Sequence, residues 1–121
     1  MTTVCKTLTN ELYNLSLGDG RDYEESLSEV DRTSGFIHCS TNDQLLPNLN
    51  RWHPDEDSLV VVVLDEDHLE GELLWEPGKL RPDELFPHVY GNITPDAVRA
   101  VYCLEKNDDG LFELPEELRE S

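Results

Sequence analysis

The chain has 121 residues, a length that suits one domain burying roughly two-thirds of the surface of its unfolded chain. Its longest apolar run, Leu59 to Leu64, is far too short for a membrane-spanning helix, which needs about 20 apolar residues. Residues 1–8 lack the pattern of a secretory signal, so we expect a cytoplasmic protein.

With 27 Asp and Glu against 9 Lys and Arg, the net charge is −18, which disfavours nucleic acids and anionic membranes as partners. The acidity fits either adaptation to a salty cytoplasm or an ordinary acidic protein, and the composition leaves both open.

The cysteines predict reduced thiols rather than disulfides. Cys5, Cys39 and Cys103 are odd in number and widely spaced, which is not the pattern of a disulfide framework. Each lies in an apolar context, so we expect all of them to be buried. Cys39 follows His38, but neighbouring strand residues point to opposite faces, which argues against a thiol nucleophile paired with that imidazole.

The first third of the sequence predicts short strands and short helices. Val4 to Leu8 has the alternation of a strand. A short helix follows, capped by Thr9 or Asn10. Residues 22–31 are acidic and weakly periodic, which predicts a loop with at most a helical turn. Residues 35–39 are rich in β-formers and predict a second strand.

A longer helix and a central strand come next. The spacing of Thr41 and Gln44 matches a capping box and predicts a helix that starts at Asn42. Pro47 lies too deep in this segment for the first helical turn, so we expect a kinked or split helix. Residues 59–64 are uninterrupted and mostly β-branched, which predicts a strand buried on both faces.

The remaining sequence predicts mainly strands. They are expected at residues 72–76, 86–91 and 100–104, with a short helix that starts at Thr94 before the last of them. This order of elements predicts an α+β fold with small mixed or antiparallel sheets and a few short helices. We expect a single domain over residues 1–121, in which residues 106–121 form a C-terminal turn and a short helix or tail.

Polar side chains follow or interrupt apolar strands at two places, and the first is around His38. This residue ends the second predicted strand, and Ser40 and Thr41 follow it at a helix N-terminus, where free N–H groups suit a phosphate or an oxyanion. The strand period of two predicts that the imidazole of His38 and the hydroxyl of Ser40 lie side by side. The alternative is a core histidine with satisfied hydrogen bonds, followed by two capping residues.

The second place lies in the later strands. His88 and Tyr90 share one strand face by the same period, and Trp75 with Glu76 puts an indole beside a carboxylate at a strand end. Taken singly, each of these residues also fits an ordinary packing or surface role. The four histidines show no spacing typical of zinc ligands, so we expect no metal site.

Taken together, these segments form a signature. Gly35-Phe36-Ile37-His38-Cys39-Ser40-Thr41, Leu74-Trp75-Glu76-Pro77 and Phe86-Pro87-His88-Val89-Tyr90-Gly91 occur in this order. Over about residues 4–105, the chain thereby resembles the family known as domain of unknown function 952. The resemblance implies a compact ADP-ribosyltransferase-like fold, related to RNA 2′-phosphotransferases and to toxin-type transferases, with NAD as a substrate in a cleft between two small sheets.

The resemblance also implies roles for individual residues. An early His and a following hydroxyl residue hold the adenosine-side ribose and the nicotinamide amide, and a later His or Tyr lies at the nicotinamide side. Glu76 is the candidate carboxylate for the nicotinamide ribose, where positive charge develops during cleavage. The residues implied as catalytic are His38, Glu76 and His88, and those implied as NAD-binding are His38, Ser40, Thr41, Trp75 and Tyr90. The candidate donors to the diphosphate are Arg32, Arg51 and Arg81.

Functions of different classes remain open at this point. The first is an enzyme, a transferase or hydrolase that acts on NAD or a related small nucleotide. The second is a non-catalytic module on the same fold that binds a small ligand or a protein, since Glu76 precedes the position of the glutamate usual in the superfamily. The third is a stable acidic domain whose polar strand residues satisfy one another.

Overall fold

The computed structural model describes residues 3–52, 56–78 and 82–119, which form two antiparallel sheets with short helices around them. The strands are β1 (Val4–Leu8), β2 (Ile37–His38), β3 (Ser40–Thr41), β4 (Ser58–Leu64), β5 (Glu70–Pro77), β6 (Leu85–Asn92) and β7 (Val98–Glu105). The α-helices are α1 (Asn10–Leu15), α2 (Glu29–Ser34), α3 (Asn42–Trp52) and α4 (Glu116–Arg119). One sheet has the order β3-β1-β4-β7 and the other β2-β6-β5.

Strand β4 lies inside the four-stranded sheet, between β1 and β7, and both of its faces are buried, as predicted. Alternate residues of β4 pack between the two sheets, against Ile37 and Val89 of the three-stranded sheet. The other residues of β4 pack against Leu45 of α3 and against Phe112. The fold is therefore a single α+β domain in which the four-stranded sheet has the smaller sheet on one face and α3 on the other.

The predicted capping box at the start of α3 is confirmed. The Thr41 hydroxyl accepts from the Gln44 amide at 3.3 Å, and the Gln44 side chain accepts from the Thr41 amide at 3.0 Å. Of the predicted kink or split at Pro47, the split is wrong, because one helix runs through that residue. An interior proline costs about 3 kcal/mol, because it removes a helical hydrogen bond and its ring clashes with the preceding turn. The burial of Leu45 and Leu49 against the sheet outweighs this cost.

The strand predicted over residues 35–39 is divided between the two sheets. His38 lies on β2 and pairs with His88, whereas Ser40 lies on β3 and pairs with Cys5. The chain crosses from one sheet to the other at Cys39, whose amide donates to the Pro87 carbonyl at 3.1 Å. The prediction that His38 and Ser40 share one strand face is therefore wrong, since it assumed one continuous strand.

Two further predictions need correction. Residues 22–31, predicted as a loop with at most a turn, contain a 3₁₀ turn at Tyr23–Ser26 and the start of α2, which Ser28 caps. Cys5 and Cys39 are buried as predicted, but Cys103 is exposed because it lies on the edge strand β7. Within the described ranges, no helix has the length and apolar character needed to cross a bilayer.

Candidate functional site

The three-stranded sheet turns one face to the core and the other outward. Ile37, Leu73 and Val89 pack in the core between the sheets. Directly opposite residues of antiparallel strands share a face, and the register pairs His38 with His88 and Leu74 with His88. We call the outward side the imidazole face; its polar side chains are His38, Glu72, Glu76, His88 and Tyr90, since Glu72 is directly opposite Tyr90. The ring of Phe36 packs on those of His38, His88 and Tyr90.

A close approach of β5 and β6 lies next to Tyr90. Gly71 and Gly91 are directly opposite each other, and Gly71 has a φ of 93°. A Cβ atom at Gly91 would overlap the carbonyl oxygen of Glu70. The glycine that ends the segment Phe86 to Gly91 therefore keeps the two backbones in the register that brings Tyr90 and His88 towards β5.

Glu76 holds the imidazole of His88, whose side chain is 8% exposed. Its Oε1 atom accepts from Nδ1 of His88 at 2.8 Å and from the hydroxyl of Tyr90 at 2.6 Å. The hydrogen bonds from Tyr90 and His88 keep the pKa of Glu76 below its ordinary value. The hydrogen bond between Tyr90 and Glu76 also raises the pKa of Tyr90. An ionised carboxylate only accepts, so Nδ1 of His88 carries the proton and Nε2 is the acceptor of the neutral ring.

Asp31 of α2 holds the imidazole of His38. Its Oδ1 atom lies 2.7 Å from Nδ1 of His38 and accepts from the His38 amide at 3.0 Å. Lys6 and Tyr23 donate to the other oxygen at 2.7 and 2.6 Å. The Asp31 side chain is 1% exposed, whereas that of His38 is 38% exposed. His38 is thus anchored from the protein interior and reaches the surface with the rest of its ring.

Aromatic contacts bring the two imidazoles together. The ring centroid of Phe36 lies 4.6 Å from that of His38, 4.3 Å from that of His88 and 5.1 Å from that of Tyr90. The centroids of His38 and His88 are 5.4 Å apart in an edge-to-face arrangement. Phe36, which the sequence reasoning did not select as a site residue, therefore packs against all three polar rings of this face.

Three residues predicted to bind NAD are not on the imidazole face. Ser40 and Thr41 belong to β3 in the other sheet, and the hydroxyl of Thr41 caps α3. Trp75 is opposite Pro87 and Glu76 is opposite Phe86, so the indole and the carboxylate lie on different sides of the sheet. The structure brings His38, Glu76, His88 and Tyr90 together and leaves these three elsewhere.

Of the three arginines predicted as donors to the diphosphate, the structure describes the side chain of Arg32. The guanidinium of Arg32 donates to the Leu27 carbonyl at 3.1 Å. The side chain of Arg51 and the whole of Arg81 lie outside the described residues. In the described part of the chain, no group of three or more His, Cys, Asp or Glu side chains converges as a metal would require.

The sequence reasoning missed Asp31, Lys6 and Tyr23. Asp31 is one of 27 acidic residues and lies in a segment predicted as a loop, so nothing local distinguishes it. Lys6 did carry a signal, because it occupies the same strand face as the apolar Val4 and Leu8. A lysine at such a position is rarely buried without a carboxylate partner.

The family and the fold have known relatives. The family model described as "Protein of unknown function (DUF952)" matches residues 16–101. The chain belongs to this family. The crystal structure of protein CC0527 from Caulobacter crescentus is 25% identical, with a TM-score of 0.81 over 98% of this chain and 99% of that chain. The solution NMR structure of CC0527 is 26% identical, with a TM-score of 0.73 over 90% of each chain. No curated protein matches the chain.

Proposed function

We propose that this DUF952 protein is a transferase or hydrolase that acts on NAD or a related nucleotide at the imidazole face. One observation carries the proposal: two adjacent imidazoles, His38 and His88, each have Nδ1 on a carboxylate. An imidazole held in this way offers Nε2 as a base or, once protonated, as an acid. Two such rings on one face supply both roles for a single ligand.

The wider fold assignment belongs to the same proposal. Two small antiparallel sheets support an ADP-ribosyltransferase-like domain, as does the resemblance carried by the segments around His38 and His88. The proposed site differs from the expected cleft between the sheets, because the core fills that space and the imidazole face is on the outer side of the three-stranded sheet. In such a domain the cleaved bond joins the ribose C1′ to the nicotinamide nitrogen, which keeps the bonding electron pair. Positive charge then develops on the ribose, and a nearby carboxylate stabilises it.

Glu76 is the carboxylate that we propose for that task. Both of its hydrogen bonds from His88 and Tyr90 reach Oε1, so neither occupies Oε2. The ring of Phe36 and the half-exposed ring of Tyr90 offer aromatic surface to a base. Nε2 of His38 takes the proton from the attacking water or alcohol as its oxygen bonds to C1′.

Binding without catalysis is the second candidate function. It is favoured by the two hydrogen bonds that already engage Glu76 and by the location of Ser40 and Thr41 on the other sheet. In this case the imidazole face holds a nucleotide, and no bond in the ligand breaks.

Calorimetric titration with NAD, ADP-ribose and nicotinamide tests whether the face binds nucleotides. We expect NAD to bind the unaltered protein and the matched control His68→Ala, but not His38→Ala. His68 is a suitable control because it also lies on a carboxylate, that of Asp65 at 2.9 Å, outside the imidazole face. Molar salt should tighten binding of the anionic NAD to a protein of charge −18, because it screens their repulsion. Absence of binding at low and at molar salt would contradict the proposal.

Nicotinamide release separates the two candidate functions. Turnover of NAD followed by chromatography should give free nicotinamide with the unaltered protein and none with Glu76→Gln. Binding of NAD without any release supports the non-catalytic module. Release that is unchanged in Glu76→Gln contradicts the role given to this carboxylate.

A further inference from the structure

A buried carboxylate behind the imidazole face connects three segments of the chain. Asp31 on α2 accepts from Lys6 on β1, from Tyr23 on the 3₁₀ turn and from His38 on β2. The side chains of Lys6 and Asp31 are 7% and 1% exposed. Both oxygens of Asp31 thus accept from two donor groups each, which is more than an ordinary ion pair requires.

The partners of Asp31 fix which atoms carry protons. A backbone amide and an ammonium group only donate. The Tyr23 hydroxyl accepts from the Ser28 amide at 3.2 Å and donates to Asp31. Burial alone would raise the pKa of Asp31, but the hydrogen bond from His38 and the charge of Lys6 outweigh it and hold that pKa well below its usual range. Independently of the ring, Lys6 and Tyr23 donate to one oxygen and the His38 amide donates to the other. The carboxylate beside the ammonium group is therefore ionised, and Nδ1 of His38 must carry a proton.

Lys6 also fixes the backbone at the same residue. Its ammonium group donates to the His38 carbonyl at 2.8 Å as well as to Asp31. His38 is consequently held at its amide, its carbonyl and its ring by one buried ion pair. Neutralising Lys6 requires only one contact from Asp31, so the additional hydrogen bond between Asp31 and the ring of His38 indicates a second role for this carboxylate.

We infer that Asp31 is the positioning residue of His38: with Lys6 and Tyr23 it fixes the imidazole in the Nδ1–H tautomer and presents Nε2 outward as an acceptor. This inference rests on the proposed function only in naming His38 as a ligand-contacting residue. Asp31 itself touches no ligand and acts through the ring. The arrangement makes His38 a base of fixed direction at the imidazole face.

Long-range proton–nitrogen NMR of protein labelled with ¹⁵N-histidine reads the tautomer without any ligand. We expect neutral His38 to carry its proton on Nδ1 in the unaltered protein. In Asp31→Asn, Lys6 attracts the amide oxygen, the amide nitrogen faces the ring, and the proton moves to Nε2. The matched control is Asp65→Asn beside the exposed His68, which should leave the His38 signals unchanged.

A second variant protects the test against loss of folding. Asp31→Leu combined with Lys6→Met removes both charges together, which proteins tolerate better than removal of one partner. A dispersed backbone amide spectrum shows that the variant is folded, and we expect His38 to lose the Nδ1–H form in it. An Nε2–H ring in the unaltered protein overturns the inference, as does an Nδ1–H ring that persists in this folded double variant.

The outcome is separable from that of the nucleotide proposal. If NAD does not bind but the tautomer changes as expected, Asp31 still positions His38 and only the ligand assignment fails. If NAD is turned over, Asp31→Asn should lower kcat by about 10²-fold or more, with a smaller change in KM. Equal turnover in that variant overturns the positioning role while leaving the nucleotide proposal intact.

Discussion

Lys6→Met removes the ammonium group from the buried pair with Asp31 and tests how far the pair stabilises the fold. The two side chains are 7% and 1% exposed and 2.7 Å apart. Breaking such a pair leaves an uncompensated buried charge, which costs about 3–5 kcal/mol in free energy of unfolding. We place Lys6→Met at the low end of this range, because Asp31 keeps its bonds from His38 and Tyr23. Asp31→Asn belongs at the high end.

Urea unfolding followed by circular dichroism measures these losses as changes in midpoint at constant slope. Combining Lys6→Met with Asp31→Asn should restore stability relative to either single change, because no buried charge remains. Arg21→Met is the matched control: it makes the same change in net charge, but its pair with Asp19 is 61% exposed on both sides and is worth about 0–1 kcal/mol. If the stability losses of Lys6→Met and Asp31→Asn add up to the loss of the double variant within about 0.5 kcal/mol, the reasoning is refuted.

Three further predictions concern pH and packing. Because the pKa of Asp31 is lowered in the fold, the contribution of this carboxylate to stability is present above about pH 4 and is lost as the pH falls. The urea midpoint should therefore decrease more between pH 5 and pH 3 in the unaltered protein than in the double variant Lys6→Met, Asp31→Asn. Gly91→Ala should lower stability by about 2 kcal/mol or more in the same assay, because a Cβ atom there meets the backbone of Glu70. Gly110→Ala should lower it by less, about 1–2 kcal/mol, because a Cβ atom there has open space and only the φ of 76° is strained. Phe112→Ala should cost about 3–5 kcal/mol, because the ring is fully buried against α3; a loss below about 1 kcal/mol would show that this segment does not stabilise the core.

Elements with a local cause were predictable from the sequence. The run of residues 59–64 has the composition of a buried strand whatever its neighbours are, and it is β4. The capping box needs only Thr41 and Gln44, and both of its hydrogen bonds form. His88 and Tyr90 lie on one face because a strand period of two needs no tertiary information.

Elements that depend on pairing were not predictable in this way. The crossing at Cys39 exists because β2 and β3 pair with different strands, β6 and β1, and no local pattern encodes a choice of partner. Trp75 lies on the opposite side of the sheet from Glu76, as the strand period alone predicts, and its role in binding NAD stays a prediction. Asp31 becomes recognisable only when Lys6 is known to be buried.

The two imidazoles differ in how firmly they are held, and this difference divides their roles. His38 is bound to a carboxylate that is 1% exposed and also pairs with a buried lysine, so a ligand that displaced this contact would leave a buried carboxylate oxygen without one of its hydrogen-bond donors. His88 is bound to Glu76, which is 34% exposed and can exchange its hydrogen bonds with water or a ligand. The ring with the buried anchor therefore suits a base of fixed direction. Under the proposed function, the Oε2 atom of Glu76, which neither His88 nor Tyr90 occupies, is the part of this contact that faces charge developing on the substrate.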